Sequence, residues 1–153
     1  MQASGPGPRR FGSRRALIAW CLYDWANSAY PTVVITFVFA AYYAKAVAAD
    51  EVAGTAEWAF AMSLGAGIVA ILAPVLGAVA DRGGRRKPWL AVFTGLCVAA
   101  SALLWFTQPD PAWSLWALAF AIIGNVAFET GQVFYLSLIH ISEPTRLRRI
   151  SYA

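Results

Sequence analysis

Four long apolar runs constrain this chain more than any other feature of its sequence. They cover about residues 16–47, 58–80, 88–106 and 113–135. A helix crosses the hydrocarbon core of a bilayer with about 20 mostly apolar residues. Because a lone strand in lipid would leave its backbone groups unpaired, each run is predicted to be a helix. The expected fold class is therefore all-α: a polytopic membrane protein with four transmembrane helices.

The overall composition supports a bilayer as the solvent of this chain. Hydrophobic residues make up 59% of the sequence and charged residues only 13%, whereas about a quarter of the residues in soluble domains are charged. The net charge of +4 would suit a nucleic-acid binder, but the basic residues stand between the apolar runs instead of lining one face. We therefore expect a lipid bilayer as a partner and no nucleic acid.

The positive charges predict how the helices cross the membrane. One basic cluster precedes the first run and another separates the second from the third: Arg9, Arg10, Arg14 and Arg15, then Arg82, Arg85, Arg86 and Lys87. The other two connections offer only Lys45. By the positive-inside rule, the N-terminus and the second connection face the cytoplasm. Residues 1–13, which are rich in Gly and Pro, are expected to form a disordered cytoplasmic segment.

The start of the chain also fits a second interpretation. Basic residues before an apolar run that ends in Ala46-Val47-Ala48 are typical of a secretory signal peptide, and paired arginines occur in twin-arginine signals. The apolar core of a signal peptide is about 7 to 15 residues long. This run is about twice that length and contains Asp24 and Pro31. We favour an uncleaved first helix.

Asp24 is the most informative residue of the first run. A charged side chain in hydrocarbon costs about 2.5 kcal/mol or more, so such residues face a bundle interior or mark an ion or solute path. Asn27 and Ser28 follow at i+3 and i+4 on the same helical face, and Tyr23 precedes them. Two roles stay open for Asp24. It contacts a proton or a solute amine, or it is an acid near the headgroups, since it lies only about 12 Å along the helix from residue 16.

The fourth run contains a similar polar face. Asn125, Glu129 and Gln132 occur at i, i+4 and i+7, on one side of a helix. This stripe could face the Asp24 stripe across a cavity, which would place Asn125 and Glu129 in the solute or proton path. The alternatives are an interfacial acid for Glu129 and interhelical hydrogen bonds for Asn27 and Asn125, each worth about 0.6 kcal/mol on average.

The connection between the second and third runs contains the motif Gly77-x-x-x-Asp81-Arg82-x-Gly84-Arg85-Arg86-Lys87. Gly77 allows close helix approach, Asp81 can pair with nearby arginines, and Gly84 permits a tight turn. Composition alone would also fit any short cytoplasmic loop. The spacing, however, closely resembles the signature between helices two and three of the major facilitator superfamily of secondary transporters.

A second motif narrows this resemblance. YDWANSAY, residues 23–30, is similar to the start of the vacuole-effluxer-like branch, which is related to autophagy-linked amino-acid exporters of fungal vacuoles. The resemblance covers about residues 14–135. It implies a twelve-helix transporter with two six-helix halves, and this chain then forms four helices of the N-terminal half.

The resemblance also implies a function. The family moves small solutes, in this branch amino acids, across the membrane by alternating access, and a coupling proton is an expected partner. The expected location is a bacterial inner membrane. The loop motif implies a conformational latch, in which Asp81, Arg82, Arg85 and Arg86 contact the opposite half. Because that half is absent from the chain, the missing remainder of the transporter is an implied partner and the fragment alone should not transport.

The remaining features are predicted to be structural. Gly65 and Gly67 suit close helix packing, the third run is interpreted as a lipid-facing support, and Cys21 and Cys97 are interpreted as packing residues. Nucleophile, metal-ligand, Walker and dinucleotide motifs are missing from the sequence. We therefore expect no enzyme, no metal site and no cofactor.

The tail, residues 136–153, departs from the expected pattern. Its first part, LSLIHISEPTR, resembles the translation of a transposase-type sequencing-library adapter. We interpret the tail as a non-biological addition, exclude His140 from any proton relay and expect the native sequence to be interrupted near Tyr135. A basic cytoplasmic segment after the fourth helix is the alternative.

Two other functions compete with a transporter fragment. One is a complete four-helix drug exporter of the small dimeric type, against which the loop motif argues. The other is a membrane scaffold or partner subunit, in which Asp24 and Glu129 would be purely structural.

Overall fold

The computed structural model describes the backbone of residues 14–83 and 86–142. The α-helices in these ranges are α1 (Arg14–Tyr30), α2 (Val38–Tyr42), α3 (Glu51–Gly83), α4 (Arg86–Leu104) and α5 (Ser114–Ser142). Two π-helical segments, Pro31–Phe37 and Tyr43–Val47, continue α1 and α2. We call residues 14–47 the first span. These described ranges contain no strand, which confirms the all-α prediction.

The helices have the length and surface of membrane spans. Within the described part of the chain, three are long and apolar enough to cross a bilayer: Cys21–Val47, Glu51–Ala78 and Pro111–Leu136, with a shorter apolar helix at Pro88–Leu104. Large apolar side chains such as Trp25, Ile71 and Leu115 are 75–80% exposed. Such an apolar outer surface is favourable in lipid. Helices suit that solvent because they satisfy their own backbone groups.

The first span changes its helical pitch at Pro31. A proline has no backbone donor, and its ring crowds the carbonyl four residues earlier. The wider π-helical turns begin at this residue, and the Thr36 hydroxyl donates a hydrogen bond of 2.9 Å to the Pro31 carbonyl. The first span is therefore helical without a break, and it changes from α-helix to π-helix at Pro31.

The second span begins earlier than the sequence indicated. α3 starts at Glu51, seven residues before the predicted boundary at residue 58. Asp50 explains this start, because its Oδ2 accepts a hydrogen bond of 2.9 Å from the Ala53 amide, which caps the helix. Gly54 then lies so close to the first span that an added Cβ would come within 3.1 Å of Ala44 Cα. Most of the connection between the first two predicted runs is thus helix.

The boundaries of the last two helices also shift. α4 ends at Leu104, two residues before the predicted end at residue 106. A 3₁₀ turn, Pro111–Trp113, precedes α5, and Asp110 caps it through a hydrogen bond of 2.7 Å from the Ala112 amide to Oδ1. α5 then continues as far as Ser142, through the predicted boundary of the tail.

α5 is the central helix of the bundle. It packs most extensively against α4 and next against α3, while the first span packs against α3 mainly through its C-terminal half. One apolar cluster joins the C-terminal half of the first span to α3 and α5: Tyr43, Val47, Trp58, Ala117 and Ala121. A second cluster joins the first span to α4 and α5: Tyr30, Cys97 and Ala127. Trp58 is 8% exposed inside the first cluster.

Candidate functional site

Asp24 lies on α1 and its side chain is exposed. The hydroxyl of Tyr135 on α5 donates a hydrogen bond of 3.0 Å to Asp24 Oδ1. The two residues are 111 positions apart in the chain, so this bond ties the first span to α5. A carboxylate has two oxygens and several acceptor positions. Asp24 therefore retains acceptor positions that can bind a proton or a cationic group.

Tyr23 extends this contact to a third helix. Its ring lies 5.5 Å from that of Tyr135, with 31° between the ring planes. Its hydroxyl forms a hydrogen bond of 3.0 Å with Thr94 Oγ1 on α4. We call Asp24, Tyr135, Tyr23 and Thr94 the Asp24 network. It connects α1, α4 and α5 through one carboxylate, two phenols and one hydroxyl.

The other polar residues of the predicted first-helix stripe have separate roles. Ser28 is exposed, and its hydroxyl donates a hydrogen bond of 3.1 Å to the backbone carbonyl of Asp24. This bond stays within one helix and joins no second helix. Asn27, in contrast, lies on the wall of a cavity between the first span, α4 and α5.

This cavity has a volume of about 240 Å³ and mostly apolar walls. The first span contributes Asn27 and Tyr30, α4 contributes Thr94 and Cys97, and α5 contributes Phe128 and Gly131, among others. The third run was predicted to be a lipid-facing support. That prediction is wrong in part, because its helix α4 forms one wall of the cavity and holds Tyr23 through Thr94.

Tyr30 is the most buried aromatic residue on the cavity wall. It is 9% exposed, and its ring lies 5.2 Å from that of Phe128. Its buried hydroxyl has no hydrogen-bond partner among the described residues. A Cβ added to Gly124 would lie 2.5 Å from Tyr30 Oη and 3.4 Å from Ala100 Cβ. The Tyr30 hydroxyl therefore occupies the space that a side chain at position 124 would fill.

The polar stripe of the fourth helix does not meet the Asp24 stripe. Asn125 is 8% exposed and lies against α3, where a Cβ added to Gly65 would come within 3.1 Å of Asn125 Nδ2. Glu129 is exposed. The residue of α5 that contacts Asp24 is Tyr135. Because α5 packs between α3 and α4, its buried Asn125 is turned toward the second span.

The predicted latch motif falls at the ends of α3 and α4. Asp81 and Arg82 belong to the last turn of α3, and Arg86 and Lys87 to the first turn of α4. Gly84 and Arg85, and the side chains of the other charged motif residues, lie outside the described residues. The latch therefore stays a prediction.

The close helix packing predicted at Gly77, the first residue of the motif, and at Gly67 is not observed in the described residues. A Cβ added to either would meet nothing within 4 Å in the described structure. The close helix contact expected at both glycines is absent from the described residues, whereas Gly65 makes one with Asn125.

A polar contact at the opposite end of the first span was missed from the sequence. The hydroxyl of Tyr43 donates a hydrogen bond to Glu57 Oε2 on α3, and the Tyr43 side chain is fully buried. Glu57 lies outside the predicted second helix, which begins one residue after it. The acidic residues Asp50 and Glu51 indicate the earlier start of this helix, since acids favour the first turn of a helix.

Known proteins place this architecture in a family. The sequence matches the profile of the Major Facilitator Superfamily over residues 4–149. YxiO of Bacillus subtilis (strain 168), described as an uncharacterized MFS-type transporter, is 36% identical over 137 residues, which are 87% of this chain and 32% of the relative. The chain thus spans about a third of that relative's length. No solved structure matches the chain significantly. With its apolar helical spans, its loop motif and this profile match, the chain belongs to the Major Facilitator Superfamily.

Proposed function

We propose that the protein is a secondary transporter that moves a small solute across the membrane by alternating access. One observation carries the proposal: Asp24 stands within a membrane span, is exposed, and is hydrogen-bonded to Tyr135 of another span. An ionisable residue in such a place is normally functional, because its cost must be offset. Since the chain spans 32% of its Bacillus relative, the activity is proposed for the whole protein.

The solute we propose is an amino acid or a similar small amine. Its support is the YDWANSAY resemblance together with the position of Asp24, whose carboxylate would attract an ammonium group. The other role for Asp24 is to bind a coupling proton. In the same proposal the N-terminus is cytoplasmic, the loop motif forms a latch, and the membrane is a bacterial inner membrane, for which a Bacillus relative is support.

A transport assay tests this proposal and separates the two roles of Asp24. The complete open reading frame of the locus is expressed, reconstituted in proteoliposomes and given a panel of radiolabelled amino acids, with and without a pH gradient. If Asp24 binds the proton, Asp24→Asn abolishes gradient-driven accumulation but keeps solute exchange at equal pH. If Asp24 binds the ammonium group, both are lost. Cys21→Ser, an exposed residue three positions earlier, is the matched control.

Other outcomes favour the competing functions. Transport that is fully retained in Asp24→Asn removes Asp24 from the path. A protein that exports lipophilic cations but no amino acid fits the small drug exporter. A protein with no transport in any assay fits the scaffold. Resequencing the locus past Tyr135 tests the adapter interpretation of residues 136–153, because that interpretation requires a different genomic sequence there.

A further inference from the structure

We propose that the π-helical segment Pro31–Phe37 is a hinge about which α1 bends, and that the hydrogen bond between Asp24 and Tyr135 holds α1 in the observed position. Loss of the negative charge of Asp24 then frees α1. The part of Asp24 as the trigger rests on the proposed function, whereas the hinge itself does not.

Two causes of helix bending coincide at Pro31. A proline removes one backbone hydrogen bond and crowds the preceding turn, and the wider π-helical turns run from Pro31 to Phe37. Bends of more than about 20° in helices are almost always found at prolines or π-helical turns. This segment is therefore the part of the first span in which a bend costs least.

Three hydroxyl groups accompany the hinge along the same helix. Ser28 donates to the Asp24 carbonyl, Thr32 donates over 2.9 Å to the Ser28 carbonyl, and Thr36 donates to the Pro31 carbonyl. Hydroxyl bonds of this kind often bend helices. In a membrane they also satisfy carbonyl groups that a bend releases from the helix. The backbone around Pro31 can therefore bend without leaving these carbonyls unpaired.

The parts of the first span on the two sides of the hinge are held differently. On the C-terminal side, Tyr43 and Val47 are fully buried in the cluster with α3 and α5. The hinge itself packs through Val34 and Ile35 on the second apolar cluster. Among the described side chains of α1, the buried one is Tyr30, which adjoins the hinge. A bend therefore moves α1 and leaves the C-terminal side in place.

The Asp24–Tyr135 bond and the bend exclude each other. Asp24 lies seven residues before Pro31, which is about 10 Å along the helix. A bend of about 20° away from α5 would displace Asp24 by about 3 to 4 Å. The bond measures 3.0 Å in the observed position, so this displacement breaks it.

The charge of Asp24 determines how strong this bond is. A hydrogen bond to an ionised carboxylate is about twice as strong as one between neutral groups. Among the described residues, the titratable groups around this bond are Tyr135 of α5 and Tyr23 and Cys21 of α1, and α4 contributes the Thr94 hydroxyl. No described basic side chain forms an ion pair with Asp24. A proton or a bound ammonium group at Asp24 therefore weakens the bond and favours the bend.

Distances between two spin labels test the hinge. The labels are attached to Ile18→Cys on α1 and Val92→Cys on α4, both at exposed positions, in the complete protein with its native cysteines replaced by serine. Both labels lie in the described bundle, so rocking of this bundle against the rest of a transporter does not change their separation. Double electron–electron resonance in lipid nanodiscs, at one pH and without solute, should give one narrow distance.

Two variants should release α1 under the same conditions. Asp24→Asn keeps the shape of the side chain and removes its charge, and Tyr135→Phe removes the donor. Each should broaden the distance distribution or shift it by up to about 7 Å, because Ile18 lies about 20 Å from the hinge and the expected bend is about 20°. Pro31→Ala returns an amide donor to the helix, so it should suppress the change caused by Asp24→Asn.

A second pair of labels is the matched control. Val38→Cys and Leu115→Cys are also exposed, and they lie in the C-terminal side of the first span and in α5. Their separation should stay the same in every variant. Circular dichroism checks that each variant is folded.

Three results would overturn the proposal. The first is an unchanged Ile18–Val92 distance in both folded variants, and the second is an equal change in the control pair, which would indicate general loosening of the bundle. The third is a change that persists with Pro31→Ala. The transport assay is independent of these distances: active transport with an unchanged distance removes the hinge alone, whereas a changed distance without transport removes only the proposed function.

Discussion

Tyr135 on α5 and Asp24 on α1 are joined by a hydrogen bond of 3.0 Å, in which the phenol is the donor. α1 makes few other contacts with α4 and α5. This bond, the ring contact of Tyr23 with Tyr135, the hydrogen bond of Tyr23 to Thr94 and the packing of Tyr30 on Phe128 therefore hold α1 to α4 and α5. A change at either residue should be felt at the other.

The first prediction is an energetic coupling between Asp24 and Tyr135. In a double-mutant cycle with Asp24→Ala and Tyr135→Phe, we expect a coupling between about 0.6 and 1.7 kcal/mol, the average and the maximum for interhelical hydrogen bonds in membranes. Unfolding in mixed detergent micelles, followed by circular dichroism, measures it. As a control, Asp50→Ala, at the far end of the first span, and Tyr135→Phe should be additive within about 0.5 kcal/mol. Additivity of the Asp24 pair to the same degree would contradict the bond.

The second prediction concerns Gly124 and Gly67. Gly124→Ala should destabilise the bundle by about 1 to 3 kcal/mol, because the new methyl group collides with Tyr30 Oη. Gly67→Ala should be neutral or stabilising by up to about 1 kcal/mol, since its methyl group meets no neighbour and alanine favours a helix. The same unfolding assay compares them. Adding Tyr30→Phe to Gly124→Ala should recover part of the loss, and equal behaviour of the two glycine variants would refute the close approach.

The third prediction is that Asp50 determines where α3 begins. Asp50→Ala removes the side-chain acceptor of the Ala53 amide and should cost about 0.5 to 2 kcal/mol, whereas Asp50→Asn, also a good cap, should cost little. Hydrogen exchange followed by mass spectrometry should show faster exchange in the first turn of α3 for the alanine variant alone. An unchanged exchange rate would mean that other contacts hold this turn.

The fourth prediction separates the ring of Tyr43 from its hydroxyl. Tyr43→Ala should cost about 3 to 5 kcal/mol, because it empties a fully buried aromatic site. Tyr43→Phe should cost only about 0.5 to 1.5 kcal/mol, the value of its hydrogen bond to Glu57. Tyr42→Phe, which loses a hydrogen bond of 3.0 Å to the Thr107 carbonyl, is the comparison. If Tyr43→Phe is as damaging as Tyr43→Ala, the Glu57 contact matters more than the packing.

Several features of the protein could be predicted because they depend on local sequence. The length of an apolar run decides whether a helix can cross a bilayer, so the all-α membrane fold followed from the runs themselves. The spacing of the loop motif indicated the superfamily. Helix ends were less accurate, because a single cap such as Asp50 can extend a helix beyond its apolar run.

The partners of the polar residues depended on the tertiary structure. Helical periodicity places Asn125 and Glu129 on one face of α5, but it does not say which neighbour that face meets. The neighbour depends on how α5 is rotated between α3 and α4, and this rotation results from packing along the whole helix. The sequence by itself therefore determined the membrane helices, the family and the presence of an acid at Asp24. Only the tertiary structure paired Asp24 with Tyr135, turned Asn125 toward Gly65 and placed Tyr30 and Cys97 around one cavity.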